Sequence, residues 1–180
     1  VNIVTIEDPI EYDLDNINQA QVNRRSGVTF ASALRAILRQ DPDIIMVGEV
    51  RDEETVELAI RAALTGHLVF STIHTNDSAA GFTRLLNWGM EPFLITSTVK
   101  GILAQRLVRK LCKECREKHM VEPSELEQFG LEVDEPMEFY KAVGCLSCRN
   151  TGYQGRVGLF ELIRMNNQIA DLVMEQKPGH

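Results

Sequence analysis

RQDPDIIMVGEVRD, residues 39–52, contains an unbroken apolar run at 44–47 (IIMV) that ends two residues later in an acid, Glu49. A strand with no polar alternation belongs to a sheet covered on both faces, as in parallel α/β proteins. Asp41-Pro42 stands just before it and closes a helix, because the residue preceding proline avoids the α region. That helix is read over 30–39 (FASALRAILR), with apolar groups at helical spacing and Thr29 as N-cap. Downstream, 53–64 (EETVELAIRAAL) is a second amphipathic helix, with Gly66 at its end. A second strand follows at 68–73 in TGHLVFSTIHTNDS (65–78) and ends in His74. Upstream, a strand at 2–6 (NIVTI) runs into TIEDPIEY (5–12), with Glu7, Asp8 and Glu11 at its end. Strands alternating with helices at this spacing imply right-handed crossovers and a mainly parallel sheet. Such a sheet presents its functional side chains at the carboxyl ends of its strands.

The remainder divides less clearly. Residues 7–28 read as polar and irregular, and helices are expected at 78–88 and 92–109. The pattern changes near Leu111, where four cysteines begin. A strand at 156–163 (RVGLFELI) and a helix at 166–175 complete the reading. The domain expectation is a core over 1–109, a tetracysteine subdomain over 110–155 and a C-terminal strand and helix region over 156–180. There is no internal repeat and no low-complexity tract.

With 44% hydrophobic and 25% charged residues the composition is that of a globular protein. A net charge of −7 argues against a generally basic nucleic-acid surface. No apolar run approaches the ~18–20 residues of a membrane span. The longest candidate, Phe93 to Val108, is interrupted by Thr96, Ser97, Thr98, Lys100, Gln105 and Arg106. The chain opens inside a strand without an initiator Met and is read as a fragment of a longer protein.

Each strand end admits two readings. Glu7, Asp8 and Glu11 suit a solvated turn before Pro9, or magnesium and water placement beside a nucleotide. An apolar strand ending in an acid is the general form of a Walker B element. Hydrolysis of a γ-phosphate needs a carboxylate to orient the attacking water, and Glu49 is the candidate. Its alternative role is to cap the next helix. His74, taken alone, reads as a structural ring with its nitrogens bonded locally. His67, an odd number of positions away, points to the opposite face and shares no metal with it. Arg51 either pairs with a carboxylate of its own chain or reaches a neighbouring nucleotide. Arg24 and Arg25 are weaker interface candidates.

Cys112, Cys115, Cys145 and Cys148 form two C-x2-C knuckles separated by twenty-nine residues. Two knuckles supply four thiolates to one tetrahedral zinc, and a closed shell is structural. A disulfide pair or a redox C-x-x-C are the alternatives. The flanking cations Arg106, Arg109, Lys110, Lys113, Arg116 and Lys118 allow a second overall reading, a zinc-ribbon-like module that binds nucleic acid or a protein partner.

Taken in order, these segments closely resemble the secretion ATPases, within which the type II secretion and type IV pilus assembly motors are most similar. GMEPFLI (89–95), LAQRLVRKLC (103–112) and GCLSCRNTGYQGRVGLFEL (144–162) extend the resemblance over nearly the whole chain. It implies a partial RecA-like P-loop NTPase core with a tetracysteine zinc insertion and C-terminal helices. It also implies catalytic Glu49, Glu7 and His74, with Asp8, Glu11 and Arg51 at nucleotide and magnesium. The family places Gly where Gly48 stands and calls 5–12 and 65–78 its Asp and His boxes. Retraction-type pilus motors generally lack the tetracysteine insertion, which favours an assembly or export motor. INQAQVN (17–23) leans toward pilus assembly. Family membership further implies ATP, Mg2+ and structural Zn2+, and a homo-hexamer on the cytoplasmic side of the bacterial inner membrane. The implied partners are a membrane platform protein and pilin or pseudopilin subunits, with no nucleic acid. No G-x-x-x-x-G-K-[ST] occurs here. In the family that loop and the arginine fingers lie upstream of the Asp box, so the 180 residues alone are expected to be inactive.

Overall fold

The computed structural model describes residues 1–177; residues 178–180 lie outside the described residues. The chain divides into two compact units, one of Val1–Ala104 together with the chain from Glu161 onward, the other Gln105–Phe160.

The first unit is built on a parallel sheet. Strands β1 (Ile3–Glu7), β2 (Asn18–Gln21), β3 (Ile44–Val47) and β4 (Leu68–Ser71) lie in the order β2-β1-β3-β4. Every pairing is parallel, with Ile6 opposite Val47 and Val47 opposite Ser71. Ile6, Ile45 and Val47 are completely buried. Helix α1 (Phe30–Ile37) is capped by Thr29, whose side chain accepts from Ser32 N–H while Ser32 Oγ accepts from Thr29 N–H. Helix α2 (Glu53–Leu64) is capped by Asp52. Both pack apolar faces into the core through Leu34, Ile37, Val56 and Ile60.

Two segments depart from the sequence reading. Asn18–Gln21 is a strand rather than irregular chain: its polar side chains occupy the sheet edge, where pairing with β1 outweighs weak strand propensity. The helix expected over 92–109 stops early. Helix α4 (Pro92–Thr98) gives way at Val99, and Gly101–Leu111 is strand β5, paired with β8 (Tyr153–Arg164). Gly101 lies so close to β8 that a Cβ there would stand 3.0 Å from the Ile163 carbonyl oxygen. A partner strand at that distance overrides the helical spacing of ILAQRLVRKL.

Helix α3 (Ser78–Asn87) follows His74, and Asp77 caps it. Ser78 is fully buried. Its N–H donates to Glu161 Oε1 at 2.8 Å, its hydroxyl donates to the Glu161 carbonyl at 2.8 Å, and the same hydroxyl accepts from Ala104 N–H at 3.1 Å. Helix α6 (Asn167–Met174) returns to the core through Val173.

The second unit holds an antiparallel pair, β6 (Glu117–Val121) and β7 (Met137–Lys141), a short helix α5 (Pro123–Glu127) and the four cysteines. No described helix is long and apolar enough to cross a membrane.

Candidate functional site

Glu7, Glu49 and His74 stand at the carboxyl ends of three neighbouring strands, β1, β3 and β4. Gly48 makes that convergence possible. Its N–H donates to the Ile6 carbonyl at 2.8 Å, and a Cβ there would sit 3.2 Å from the same oxygen and 3.4 Å from Glu7 Cα. An aspartate at this position would push β1 and β3 apart. Thr72, beyond β4, donates its hydroxyl to the Gly48 carbonyl at 2.7 Å and fixes the turn from the far side.

Glu49 is buried, yet Arg51 and His74 reach it. Its Oε2 lies 2.5 Å from Arg51 Nε and 3.4 Å from His74 Nε2. Burial pushes its carboxyl up, but the Arg51 guanidinium and the His74 ring together bring it below the ordinary value of 4.5. The carboxylate is therefore ionised at neutral pH and can accept a hydrogen bond from water. The helix-capping role falls to Asp52 instead, whose Oδ1 accepts from Thr55 N–H at 2.8 Å. Arg51 pairs within its own chain.

Glu7 is oriented by two donors on one oxygen. Thr5 Oγ1 donates to Oε1 at 2.6 Å and Gln19 Nε2 at 2.9 Å. Asp8 lies 3.7 Å from Arg24, and Glu11 is exposed on the following loop. His67 is held apart from His74: its Nδ1 lies 2.9 Å from the Ala62 carbonyl at the end of α2. Beside His74 a cleft of about 770 Å³ runs along α3, lined by Asp77, Thr83, Arg84, Asn87 and Trp88, with Arg84 stacked 4.6 Å over the Trp88 ring. Thr5, Gln19 and Thr72 carried no sequence signal, since their contacts depend on strand register.

The four cysteine sulfurs lie within 4.8 Å of one another. Cys112–Cys145, Cys115–Cys148 and Cys145–Cys148 are separated by 3.9, 3.8 and 3.8 Å. Sulfurs about 2.3 Å from a central zinc form a tetrahedron with edges of about 3.8 Å, so the cluster fits that ion. Backbone N–H groups of Gly144, Cys145 and Gly152 point at the Cys115 and Cys148 sulfurs at 3.2–3.3 Å. Burial raises the Cys148 thiol, but the N–H groups of Cys145 and Gly152 outweigh it and bring the group to about 6. Cys115 is pushed up to about 12 by burial and by the sulfurs around it. N–H groups aimed at sulfur favour the thiolate, which is the form a divalent cation binds. Several nearby cations are already engaged. Arg109 stacks 4.0 Å over Tyr153, Arg116 stacks 4.5 Å over Tyr140, and Lys118 pairs with Glu138 at 2.9 Å.

Comparison with known proteins agrees with this geometry. The family model described as "Type II/IV secretion system protein" matches residues 1–180. The chain is 51% identical over 172 residues to the type II secretion system ATPase E of Vibrio cholerae, covering 96% of this chain and 34% of that protein. It is 50% identical over 178 residues to the type IV pilus assembly ATPase PilB of Thermus thermophilus, covering 98% of this chain and 20% of the relative. Among solved structures, the pilus retraction motor PilT with bound ADP superposes with a TM-score of 0.69 at 34% identity, over 98% of this chain and 42% of that one. The chain thus spans only 34% and 20% of the lengths of these two curated relatives. With the family model matched end to end and the parallel sheet shared with a solved motor, the chain belongs to the type II/IV secretion system protein family.

Proposed function

We propose that this chain is the part of a hexameric ATPase that couples ATP hydrolysis to type II secretion or type IV pilus assembly. One observation carries the reading: a buried, ionised Glu49 at a strand end, with His74 3.4 Å away and Glu7 on the adjoining strand. Glu49 orients the attacking water. Glu7, Asp8 and Glu11 would hold magnesium. His74 reads the γ-phosphate, and Arg51 keeps Glu49 ionised and placed. Magnesium-ATP would supply the phosphoryl group, and the phosphate cradle would come from a P-loop, which these 180 residues do not contain. By itself the 180-residue chain turns over ATP negligibly.

Zn2+ in the tetracysteine cluster is structural, because four thiolates leave no coordination position for a substrate. We propose peripheral attachment to the cytoplasmic face of the inner membrane through a platform protein and pilin-like subunits, a reading supported by likeness to a type II secretion ATPase and a type IV pilus assembly ATPase. The basic stretch needs no nucleic acid to account for it, since three of its cations already have protein partners.

The test is ATP turnover by the full-length protein, wild type against Glu49→Gln. We expect turnover to fall about a hundredfold or more with nucleotide binding retained. Unchanged turnover would remove Glu49 from the role.

A further inference from the structure

We propose that Gln19 is a positioning residue for the Glu7 carboxylate and, through the same amide, for the acidic loop that follows it. The inference rests on the assignment of Glu7 to the magnesium-ATP site and adds the group that aims it.

Gln19 sits opposite Thr5 in the parallel register of β1 and β2. Thr5 and Glu7 are two apart on β1, so all three side chains share one face of the sheet. The Gln19 amide is fully used. Nε2 donates to Glu7 Oε1 at 2.9 Å and to the Tyr12 carbonyl at 3.0 Å, while Oε1 accepts from Leu14 N–H at 2.7 Å. Gln21, the next residue on that face, accepts from Ile10 N–H at 3.2 Å. The edge strand therefore tethers the loop carrying Asp8, Glu11 and Asp13 at three places, Ile10, Tyr12 and Leu14, and in a fourth contact grips Glu7 itself.

The consequence for Glu7 is directional. Thr5, only 4% exposed, supplies a second donor to the same Oε1 at 2.6 Å. Two donors on one oxygen restrict rotation of the carboxylate and leave Oε2 as the oxygen not engaged by these donors. A carboxylate that binds magnesium must hold one oxygen steady, since an error of about an ångström costs rate heavily. An edge-strand glutamine serving only the loop has no need of Glu7, and the structure gives it that bond.

Two substitutions separate the two duties. Gln19→Met keeps length and removes every hydrogen bond of the amide. Thr5→Val keeps shape and removes only the second donor to Glu7, leaving the loop tethers in place. In the full-length protein we measure kcat, KM for ATP and the magnesium concentration giving half-maximal turnover, with thermal unfolding alongside. We expect Gln19→Met to lower kcat roughly tenfold. KM for ATP stays near wild type while the magnesium requirement rises. Thr5→Val should shift kcat and magnesium requirement in the same direction by a smaller factor. Should Gln19→Met fail to fold, Gln19→Glu takes its place, keeping the length and the acceptor for Leu14 N–H while losing the donor to Glu7. Wild-type kcat and magnesium dependence in a folded Gln19 variant would overturn the proposal. With Glu49→Gln inactive in the same assay, that result removes Gln19 and leaves the motor reading standing. Full turnover in Glu49→Gln would overturn both.

Discussion

Glu49 is under two opposed pressures: burial, which favours its neutral form, and the Arg51 and His74 side chains, which favour its charge. The net shift is downward, so the ionised form and the stability it brings are present above about 4.5 and are lost as pH falls through the lower folded value. Arg51→Ala takes away the strongest of the lowering influences and leaves burial unopposed except by His74. We therefore expect the acidic limb of the ATP turnover profile to move to higher pH in Arg51→Ala. A limb that stays in place would show that Arg51 does not control the protonation of Glu49. Glu49 and His74 were legible in the sequence because each closes an apolar run, and the end of a run marks the end of a strand. Thr5 and Gln19 were not, since nothing in a linear sequence tells which residue of an edge strand lies opposite which. Of the two alternatives for Arg51, pairing with a carboxylate of its own chain is present in the structure as the contact with Glu49.

At the scale of elements, helices with short local codes were read well. Thr29 with Ser32 and Asp52 with Thr55 are caps that act within three residues of themselves. Asp52→Ala should cost about 1 kcal/mol of stability, measured by denaturant unfolding. An unchanged midpoint would mean the Glu49–Arg51 turn holds the start of α2 without its cap. The strand β5 was misread for the opposite reason. Leu103, Ala104, Gln105, Arg106 and Leu107 are good helix formers, and only β8, some fifty residues later, makes them a strand. The cysteine knuckles were legible because C-x2-C is a local spacing, although the strand pair β6 and β7 between them was not. Cys148→Ser removes the sulfur that gathers most of the N–H groups. We expect it to abolish stoichiometric zinc binding, read by metal analysis of the purified protein. Retained zinc would show that three thiolates suffice.

For the molecule as a whole, the two compact units should not unfold as one. Chelation of the metal should destabilise Gln105–Phe160 first, seen as loss of amide protection across Glu117–Lys141 while Ile45 and Val47 stay protected. Uniform loss across the chain would show that the metal holds both units. A longer-range consequence follows from Ser78. One buried hydroxyl there joins the start of the helix after His74 to Ala104 and to Glu161. Those two residues belong to the strands that lead out of the first unit and back into it. Three distant stretches of chain thus close on a single oxygen, and none can leave without stranding a polar group on the others. Their exchange with deuterium should be synchronous, with the Ala104 and Ser78 amides opening at one common rate.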